Sequence, residues 1–491
     1  MQERSILVLD EGTTSTRAIL YSVRGETLGI SQRELFQHYP SPGFVEHDPT
    51  EIWNKTLACA RMMVEHAGGA DRVAAIGIAN QRETVVAWDR KTGLPVSRAI
   101  VWQDRRTAER CRDLRDTGHE AMIQQRTGLV LDSYFSATKM SWILENVPAA
   151  RELGDRLAFG TVESWLVWNL TGGLHISDAS NASRTMLMPL DSDRWDDELL
   201  TLHGVPSGSL PEIVDTAGKF GRTRPDLFGL SIPICGLAGD QQAATIGQNC
   251  LAPGDVKATL GTGAFVLANT GTNPPRSRHR LLGTVLAQFG GERTYALEGA
   301  IFVAGSLVKW LRDELGLVAS VEDTENLARS VADSGGVCIL PALSGLGAPH
   351  WRAEARGVIA GLTQGTRRAH IVRAALETIA HQMHDLQRAY AGDGCTWQTL
   401  RLDGGMSAND WIAQDLADVL DIPVERPRDV ETTALGAAML AALGSGIFAS
   451  LEEAGSMRPN VAIFTPRMDT GNREARLALW HDLLALNSVS V

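Results

Sequence analysis

The sequence has no surplus of basic residues. Its 46 lysines and arginines stand against 58 aspartates and glutamates, which gives a formal net charge of −12. Proteins that bind nucleic acid or an anionic membrane usually carry the opposite balance, so neither partner is expected. No apolar run approaches the roughly 20 residues that a membrane-spanning helix needs, and no signal-like stretch precedes the first apolar segment. We therefore expect a cytoplasmic protein without a membrane span.

Cysteine is scarce, and its spacing gives no sign of a disulfide framework or a zinc site. None of the cysteines forms a C-x-x-C pair or lies near a histidine at metal-ligand spacing. Reduced thiols in a cytoplasmic protein are the simplest interpretation. The six cysteines are Cys59, Cys111, Cys235, Cys250, Cys338 and Cys395.

Several familiar nucleotide-binding and catalytic motifs are missing. There is no G-x-x-x-x-G-K-[ST], which excludes a Walker-type phosphate loop, and no G-x-G-x-x-G after a strand, so a dinucleotide fold is not indicated. H-E-x-x-H and G-x-S-x-G are also absent, which disfavours a zinc protease or a serine hydrolase of the usual kind.

What the sequence does contain is the pattern of an α/β protein in two large domains. A chain of 491 residues exceeds one ordinary core, and we predict domains at 1–249 and 250–491. Apolar strands at 5–10 and 18–23 flank a turn rich in glycine and threonine. The same pattern returns with strands at 256–260 and 264–269, so each half is predicted to open with a hairpin.

Three turns of glycine and hydroxyl residues follow predicted strands, at 10–17, 261–263 and 403–409. Glycine lets a ligand approach the backbone, and successive N–H groups can cradle a phosphate. Asp10 could hold Mg²⁺, and Arg17 could meet a phosphate. Taken alone, each segment would be explained equally well as an ordinary polar turn without a phosphate. Together, across both halves, they predict a nucleotide between the domains.

A second group of candidates suggests recognition of a hydroxylated ligand. Arg82 and Glu83 interrupt two apolar strands and could bracket neighbouring hydroxyls, although a solvated strand end would look the same. Trp102 could offer an apolar plane, or be one more of the twelve tryptophans. Asp240 follows a strand and is either a catalytic base or a helix N-cap.

Longer segments carry a resemblance that covers the chain from Asp10 to about residue 445. They are DEGTTSTRA from Asp10, SPGFVEHDPTEIW from Ser41, IGIANQRETVVAWDRKTGLPVSRAIVWQDRRTA from Ile76, YFSATKMSWILEN from Tyr134, SDASNASRTM from Ser177, AGDQQAA from Ala238, GLGAPHW from Gly345, GVIAGLTQGTRRAHIVRAALE from Gly357 and LDGGMSAND from Leu402. With these the chain closely resembles the FGGY family of carbohydrate kinases. The resemblance implies two actin-like, ribonuclease-H-like domains with the active site in the cleft between them.

The resemblance also implies roles for individual residues. Asp240 resembles the general base of the family and is also an implied contact of the polyol. Asp10 resembles the acid associated with Mg²⁺. The other implied polyol contacts are Arg82, Glu83, Trp102, Tyr134, Gln241 and Phe265. The implied nucleotide contacts are Thr13, Thr14, Ser15, Arg17, Gly261, Thr262, Gly263, Gly305, Lys309, Gly405 and Asn409.

The activity implied by the resemblance is ATP- and Mg²⁺-dependent phosphorylation of glycerol to glycerol 3-phosphate, in a homodimer or homotetramer. Two alternatives stay open: a kinase for a four-carbon polyol such as erythritol or threitol, and a non-catalytic sensor of polyol or nucleotide. Lys309 departs from the glutamine usual in the family, and His350-Trp351-Arg352 replaces aromatic-Trp-Asp. The segment 219–231 lacks the family's loop for a sugar bisphosphate inhibitor, so that inhibition is not expected.

Overall fold

The computed structural model describes residues 4–352, 354–458 and 460–487. Its strands are β1 (Ser5–Glu11), β2 (Ser15–Tyr21), β3 (Thr27–Glu34), β4 (Glu46–His47), β5 (Val73–Asn80), β6 (Val86–Asp89), β7 (Ala99–Ile100), β8 (Leu157–Gly160), β9 (Ile176–Asp178), β10 (Glu212–Val214), β11 (Ala217–Arg222), β12 (Pro233–Gly239), β13 (Val256–Leu260), β14 (Ala264–Gly271), β15 (Leu282–Phe289), β16 (Glu292–Ile301), β17 (Cys338–Leu340), β18 (Val358–Ala360), β19 (Leu400–Asp403), β20 (Val424–Pro427) and β21 (Val461–Phe464).

The helices lie between and over these strands. They are α1 (Pro49–His66), α2 (Ala108–Asp116), α3 (Glu120–Thr127), α4 (Ser136–Asn146), α5 (Pro148–Leu153), α6 (Val162–Thr171), α7 (Ala179–Ala182), α8 (Asp197–His203), α9 (Pro225–Phe228), α10 (Asp240–Gly247), α11 (Gly305–Asp313), α12 (Asp323–Arg329), α13 (Arg368–Gly392), α14 (Asp410–Leu420), α15 (Thr432–Ser445), α16 (Leu451–Ala454) and α17 (Thr470–Leu486).

Two large mixed sheets, one in each half, form the centre of the molecule. The first has the strand order β11-β12-β5-β1-β2-β3, in which β1, β2 and β3 are antiparallel neighbours and β5 and β12 run parallel to β1. The second has the order β15-β16-β14-β13-β19-β20-β21. There β13, β14 and β16 are antiparallel neighbours, and β19 runs parallel to β13. The predicted hairpin at the start of each half is thus confirmed.

Helix α15 belongs to the C-terminal half of the sequence but packs on the first sheet, where it covers β1, β5, β11 and β12. Small residues make this approach possible. A Cβ on Gly77 of β5 would stand 2.3 Å from the carbonyl oxygen of Ala437, and one on Gly236 of β12 would stand 2.6 Å from the amide nitrogen of Ala441. The helix is buried almost all round, in agreement with its alanine-rich sequence.

The apolar interior follows from the strand pattern. Both opening strands, β1 and β13, are almost wholly buried, as their continuous apolar runs predict. All six cysteines are buried and unpaired, which agrees with the interpretation as core thiols. In the part of the chain that the structure describes, no helix combines the length and apolar character needed to cross a membrane.

Candidate active site

The candidate site lies where parallel strands of both sheets end. In the first sheet Asp10 of β1 is opposite Ala79 of β5, and Gly239 at the end of β12 is opposite Asn80. In the second sheet Thr259 of β13 is opposite Asp403 of β19. The predicted turns follow these positions directly. The carboxyl edges of parallel strands are where open α/β sheets commonly bind ligands.

The first predicted phosphate turn contains a buried acid beside a cation. Arg17 donates to Asp10 with an N–O distance of 2.5 Å and pairs also with Glu431, at the N-terminus of α15. Burial raises the pKa of Asp10, although the charge of Arg17 acts to lower it. The carboxyl and guanidinium groups that the sequence predicted to act on Mg²⁺ and phosphate are therefore in contact.

The tip of this turn is open to solvent. Thr14 is exposed, while Thr13 and Ser15 are half-buried. The backbone is fixed by two hydrogen bonds, from the amide of Gly12 to the carbonyl of Ser15 (3.0 Å) and from the amide of Leu35 to the carbonyl of Thr14 (2.8 Å). The exposed residues can thus meet a ligand without any change of the strand pairing.

The second turn packs against the start of α11. The carbonyl of Gly261 accepts from the amide of Gly305 at 3.0 Å, and the carbonyl of Thr262 accepts from the amides of Ala304 and Ser306 at the same distance. A Cβ on Gly305 would stand 2.5 Å from the carbonyl oxygen of Gly261, and one on Gly263 would stand 2.4 Å from that of Ile301. Both positions therefore require glycine for packing alone.

The third turn leads into α14. Asn409 caps this helix, with Oδ1 accepting from the amides of Trp411 (2.9 Å) and Ile412 (3.2 Å). Gly405 is exposed, and a Cβ there would meet nothing within 4 Å. Lys309 is exposed on α11. The start of α11 meets this turn, since a Cβ on Gly305 would stand 3.0 Å from Cγ of Met406. The nucleotide contacts of Asn409, Gly405 and Lys309 stay predictions.

Asp240 is the first residue of α10, and the N-cap of this helix is Gly239. The N-cap alternative is therefore wrong for Asp240 itself. Its Oδ1 accepts from the amide of Gln241 at 2.7 Å and lies 3.1 Å from Nε of Arg82. Burial raises the pKa of Asp240, while Arg82 and Lys257 act to lower it. A carboxylate with a raised pKa is suited to accept a proton.

Three aromatic rings form a wall beside Arg82, the partner of Asp240, and the hydroxyl of Tyr134 in this wall lies 3.5 Å from NH2 of Arg82. The ring of Trp102 meets that of Tyr134 edge to face at 5.6 Å and that of Phe265 at 6.1 Å. The indole Nε1 of Trp102 donates to Oγ1 of Thr13 at 2.9 Å, which ties the wall to the first phosphate turn. Residues predicted from four separate segments are thus brought together.

The structure adds two buried residues that the sequence reasoning missed, Arg184 and Glu298. Glu298, on β16 of the second sheet, accepts from Arg82 and from NH2 of Arg184, the latter at 2.9 Å. Nε of Arg184 in turn donates to Oε1 of Glu83 at 2.6 Å. Burial acts to raise the pKa of Glu298, but the two arginines lower it below its ordinary value. The polyol-binding candidates of the first half are thus held by an acid of the second.

Two lysines, also missed, complete the polar surroundings. Lys257 on β13 donates to the side chain of Gln241 and to Oγ1 of Thr259, the latter at 2.7 Å. Lys139 on α4 donates to the carbonyls of Tyr134, of Phe135 at 3.3 Å and of Glu83 at 3.4 Å. Burial lowers the pKa of Lys139 to about 8. A lone charge within an apolar strand, as at Lys257 and Glu298, is the sequence signal that could have identified them.

Glu83 has an unusual backbone conformation. Its φ of +62° lies in the left-handed region, which costs a residue with a side chain roughly 1 kcal/mol or more. The carbonyl of Glu83 is held by Ser136 Oγ at 3.1 Å as well as by Lys139. Such strain is retained where the surroundings fix it, and it is concentrated at functional sites.

Comparison with known proteins agrees with this arrangement. The N-terminal domain of the FGGY family of carbohydrate kinases matches residues 5–247, and the C-terminal domain of that family matches residues 256–445. The chain belongs to the FGGY family of carbohydrate kinases.

Curated relatives and solved structures make the similarity more specific. The chain is 52% identical over 482 residues to the glycerol kinase of Rhodospirillum centenum, and 53% identical over 486 residues to that of Methylobacterium nodulans; in each case 97% of both chains is covered. It is also similar to the crystal structure of Plasmodium falciparum glycerol kinase with ADP, with a TM-score of 0.93 and 35% identity over 100% of this chain and 99% of that one.

Proposed function

We propose that this protein transfers the γ-phosphoryl group of ATP to a terminal hydroxyl of glycerol, which yields glycerol 3-phosphate and ADP. The observation that carries the proposal is the pairing of Asp240 with Arg82 at 3.1 Å. Arg82 in turn contacts the hydroxyl of Tyr134, which belongs to the aromatic wall formed with Trp102 and Phe265. Full-length similarity to curated glycerol kinases supports the same substrate.

The mechanism follows from the residues in place. Both contacts of Asp240 within the described part of the chain are made through Oδ1, which leaves Oδ2 to accept the proton of the attacking hydroxyl. The hydroxyl oxygen then bonds to the γ-phosphorus as the bond to the β-phosphate oxygen breaks. Because the transition state for this transfer is loose, positioning and neutralisation of charge supply most of the rate enhancement.

Recognition of the polyol falls to polar groups that are already paired. Arg82 donates and Glu83 accepts, so that together they can hold two neighbouring hydroxyls, with Tyr134 and Gln241 as further contacts. The rings of Trp102 and Phe265 pack against the carbon chain. A site of this kind disfavours an analogue that lacks a hydroxyl, because the hydrogen bonds that this hydroxyl would make to the buried polar groups are lost.

The nucleotide is proposed to lie between the three turns. Thr13, Thr14, Ser15 and Arg17 contact its phosphates from the first half, and Gly261, Thr262 and Gly263 contact them from the second. Gly305 and Lys309 of α11 border the ribose and adenine together with Gly405 and Asn409 of the third turn. Closure of the cleft over the substrates would exclude water that otherwise hydrolyses ATP.

Magnesium fits the acid at the end of β1. Asp10 offers a buried carboxylate oxygen as a metal ligand. The charge of nearby Glu431 acts to raise the pKa of Asp10, so a divalent cation would relieve the repulsion between the two acids. Mg²⁺ prefers one or two carboxylates together with water and phosphate oxygens. When bound, the cation would neutralise charge on the phosphates. Asp10 would hold it, and Arg17 would neutralise the phosphate beside it.

Three wider features, all expected from the sequence, are part of the same proposal: the domain division at residue 249, the cytoplasmic location and the assembly into a homodimer or homotetramer. Size-exclusion chromatography with light scattering measures the assembly state directly.

A coupled assay of ADP release tests the function. The purified protein is supplied with Mg²⁺ and ATP and with glycerol, erythritol, threitol, xylitol or dihydroxyacetone. We expect glycerol to give the highest kcat/KM. A higher kcat/KM for a four-carbon polyol would overturn the substrate but not the mechanism. Absence of turnover with every polyol would overturn the catalytic proposal and return the sensor alternative.

A further inference from the structure

A third of the histidines of this chain surround one buried aspartate, away from the candidate active site. The sequence contains 12 histidines, and four of them, His350, His381, His384 and His481, lie around Asp385. They come from three different elements: the loop before β18, helix α13 and the C-terminal helix α17. Chance does not usually gather imidazoles from separate elements at one carboxylate, so the cluster calls for a chemical explanation.

The two oxygens of Asp385 have different surroundings. Oδ2 accepts from Nε1 of the buried Trp480 at 2.9 Å and lies 3.0 Å from Nε2 of His350. Oδ1 lies 3.1 Å from Nε2 of His481. The oxygen Oδ2 is therefore held by two ring nitrogens, and Oδ1 faces the imidazole of His481 on α17.

The ligand atoms of His384, Asp385 and His481 are close enough for a shared cation. Ring nitrogens of His384 and His481 and an oxygen of Asp385 all lie within 4.8 Å of one another. Zinc bonds of about 2.0–2.2 Å place tetrahedral ligands roughly 3.3–3.5 Å apart. The pair Asp385–His481 already has nearly this spacing, and His384 needs a side-chain shift of about 1.5 Å at most to reach it.

Two buried nitrogens of the four histidines lack a hydrogen-bond partner among the described residues, Nδ1 of His381 and Nδ1 of His384, and only His384 belongs to the close group with Asp385 and His481. A buried polar atom without a partner is costly, and in native proteins it commonly marks an ion or an ordered water. The side chain of His481 is 37% exposed, so a cation can enter from solvent.

We infer that His384, Asp385 and His481 form a binding site for a divalent transition metal, with Zn²⁺ the best fit to two imidazoles and a carboxylate. Water completes the coordination. His350 and Trp480 fix the carboxylate from behind, as hydrogen-bond donors commonly do at metal sites. The metal joins α17 to α13, so its role is to hold the C-terminal helix on the second half of the molecule.

Zinc binding by the tag-free, full-length protein tests the proposal. After treatment with a chelator and its removal, titration with Zn²⁺ in the absence of nucleotide is followed by calorimetry. We expect one site per chain that is lost in His384→Ala and His481→Ala. With Co²⁺ the same site should give the visible absorption bands of a tetrahedral complex. In His350→Phe the affinity should fall by roughly 10- to 100-fold, the usual effect of removing a group that orients a ligand.

The matched control is His279→Ala. His279 also pairs with an aspartate, Asp393, at 2.7 Å, and its side chain is 45% exposed. Its loss should leave zinc binding unchanged. If an alanine variant unfolds, His481→Gln keeps a hydrogen-bond donor for Asp385 and should still weaken zinc binding.

A second measurement checks the structural role. Limited proteolysis of the C-terminal helix should slow when Zn²⁺ is added to the wild-type protein and should not change in the folded His481→Gln variant. Absence of zinc binding, or binding that the histidine variants retain in full, would overturn the proposal. The second result would assign the bound zinc to another site, such as the one at Asp10.

Discussion

The guanidinium of Arg82 and the carboxylate of Glu298 form an ion pair that joins the two sheets. Arg82 follows β5 of the first sheet, Glu298 lies within β16 of the second, and both side chains are almost wholly buried. The same guanidinium lies 3.1 Å from Asp240. The strength of the field that Asp240 experiences is therefore set partly from the other half of the molecule.

Replacing Glu298 by glutamine should impair polyol binding and lower stability. The variant keeps the shape of the side chain but leaves Arg82 and Arg184 without a shared counter-charge, a change that typically costs about 3–5 kcal/mol when it breaks a buried pair. Loss of the negative charge should also lower the pKa of Asp240, so the acid limb of kcat/KM should move to lower pH. Steady-state kinetics across pH measure the KM for glycerol and the position of the acid limb, and the melting temperature reports the loss of stability.

The control for this variant is Glu292→Gln, on an exposed position of the same strand. It should leave KM for glycerol and the pH profile unchanged. If Glu298→Gln lowered only the melting temperature, with an unaltered KM and pH profile, Glu298 would be a structural residue without a part in positioning Arg82.

Replacing Asp240 by asparagine should abolish most of the turnover. The amide cannot accept the proton of the attacking hydroxyl, and a general base is commonly worth about 10²- to 10⁴-fold in rate. Glycerol binding, measured by calorimetry, should stay within roughly tenfold of the wild type, because the other contacts are kept. Turnover close to that of the wild type would refute the role of Asp240 as the base.

Wild-type activity should fall on the acid side as Asp240 is protonated. Burial raises the pKa of this carboxyl, so the loss should begin at a higher pH than for an ordinary aspartate. The kcat/KM of the wild type, measured as the pH is lowered, reports this pKa for the free enzyme.

Gly405→Ala should weaken ATP binding without weakening the fold. A Cβ at this position meets nothing within 4 Å in the protein itself, so only a bound nucleotide can be displaced by it. Overpacking typically costs about 1–3 kcal/mol, which corresponds to a rise of roughly 5- to 150-fold in KM for ATP. Gly208→Ala, at another open glycine, should change neither KM nor the melting temperature. An unchanged KM in Gly405→Ala would remove Gly405 from the nucleotide site.

Glu11→Gln should make stability less dependent on pH. Burial raises the pKa of Glu11 from its ordinary 4.5 to about 8, against the hydrogen bonds from Thr16 and Thr56. Between these values the folded protein keeps a proton that the unfolded chain releases, so the wild type loses stability as the pH rises. The variant has no such proton. The free energy of unfolding of the variant relative to that of the wild type should therefore grow by a few kcal/mol from about pH 5 to pH 8, as measured by denaturant unfolding. If this difference between the two proteins stayed constant with pH, Glu11 would not be a buried neutral acid.

The opening hairpin of each half could be predicted because its signal is local. Runs such as SILVLD bury both faces of a strand, and the glycine and threonine that follow mark the turn. Strand β1 accordingly extends only one residue beyond the predicted segment, to Glu11. The residues of the candidate site came chiefly from the resemblance, because no single turn distinguishes a phosphate site from a polar loop.

The partners of Arg82 could not be predicted in the same way. Glu298 lies 216 positions farther along the chain, and only the pairing of β14 with β16 brings it to the cleft. Arg184 follows a single-turn helix whose sequence resembles a surface segment, yet its side chain is fully buried. Contacts across long separations depend on how the two sheets are assembled, which local patterns do not encode.

The placement of α15 has a consequence for how the protein is made. During synthesis the first sheet emerges some 200 residues before α15 (Thr432–Ser445), the helix that covers one of its faces. Until the ribosome has released that helix, a broad apolar surface stays open to aggregation, because domains fold as units only when their elements are present. A fragment that stops near residue 249 should therefore need α15 supplied in trans, or a chaperone, to remain in solution.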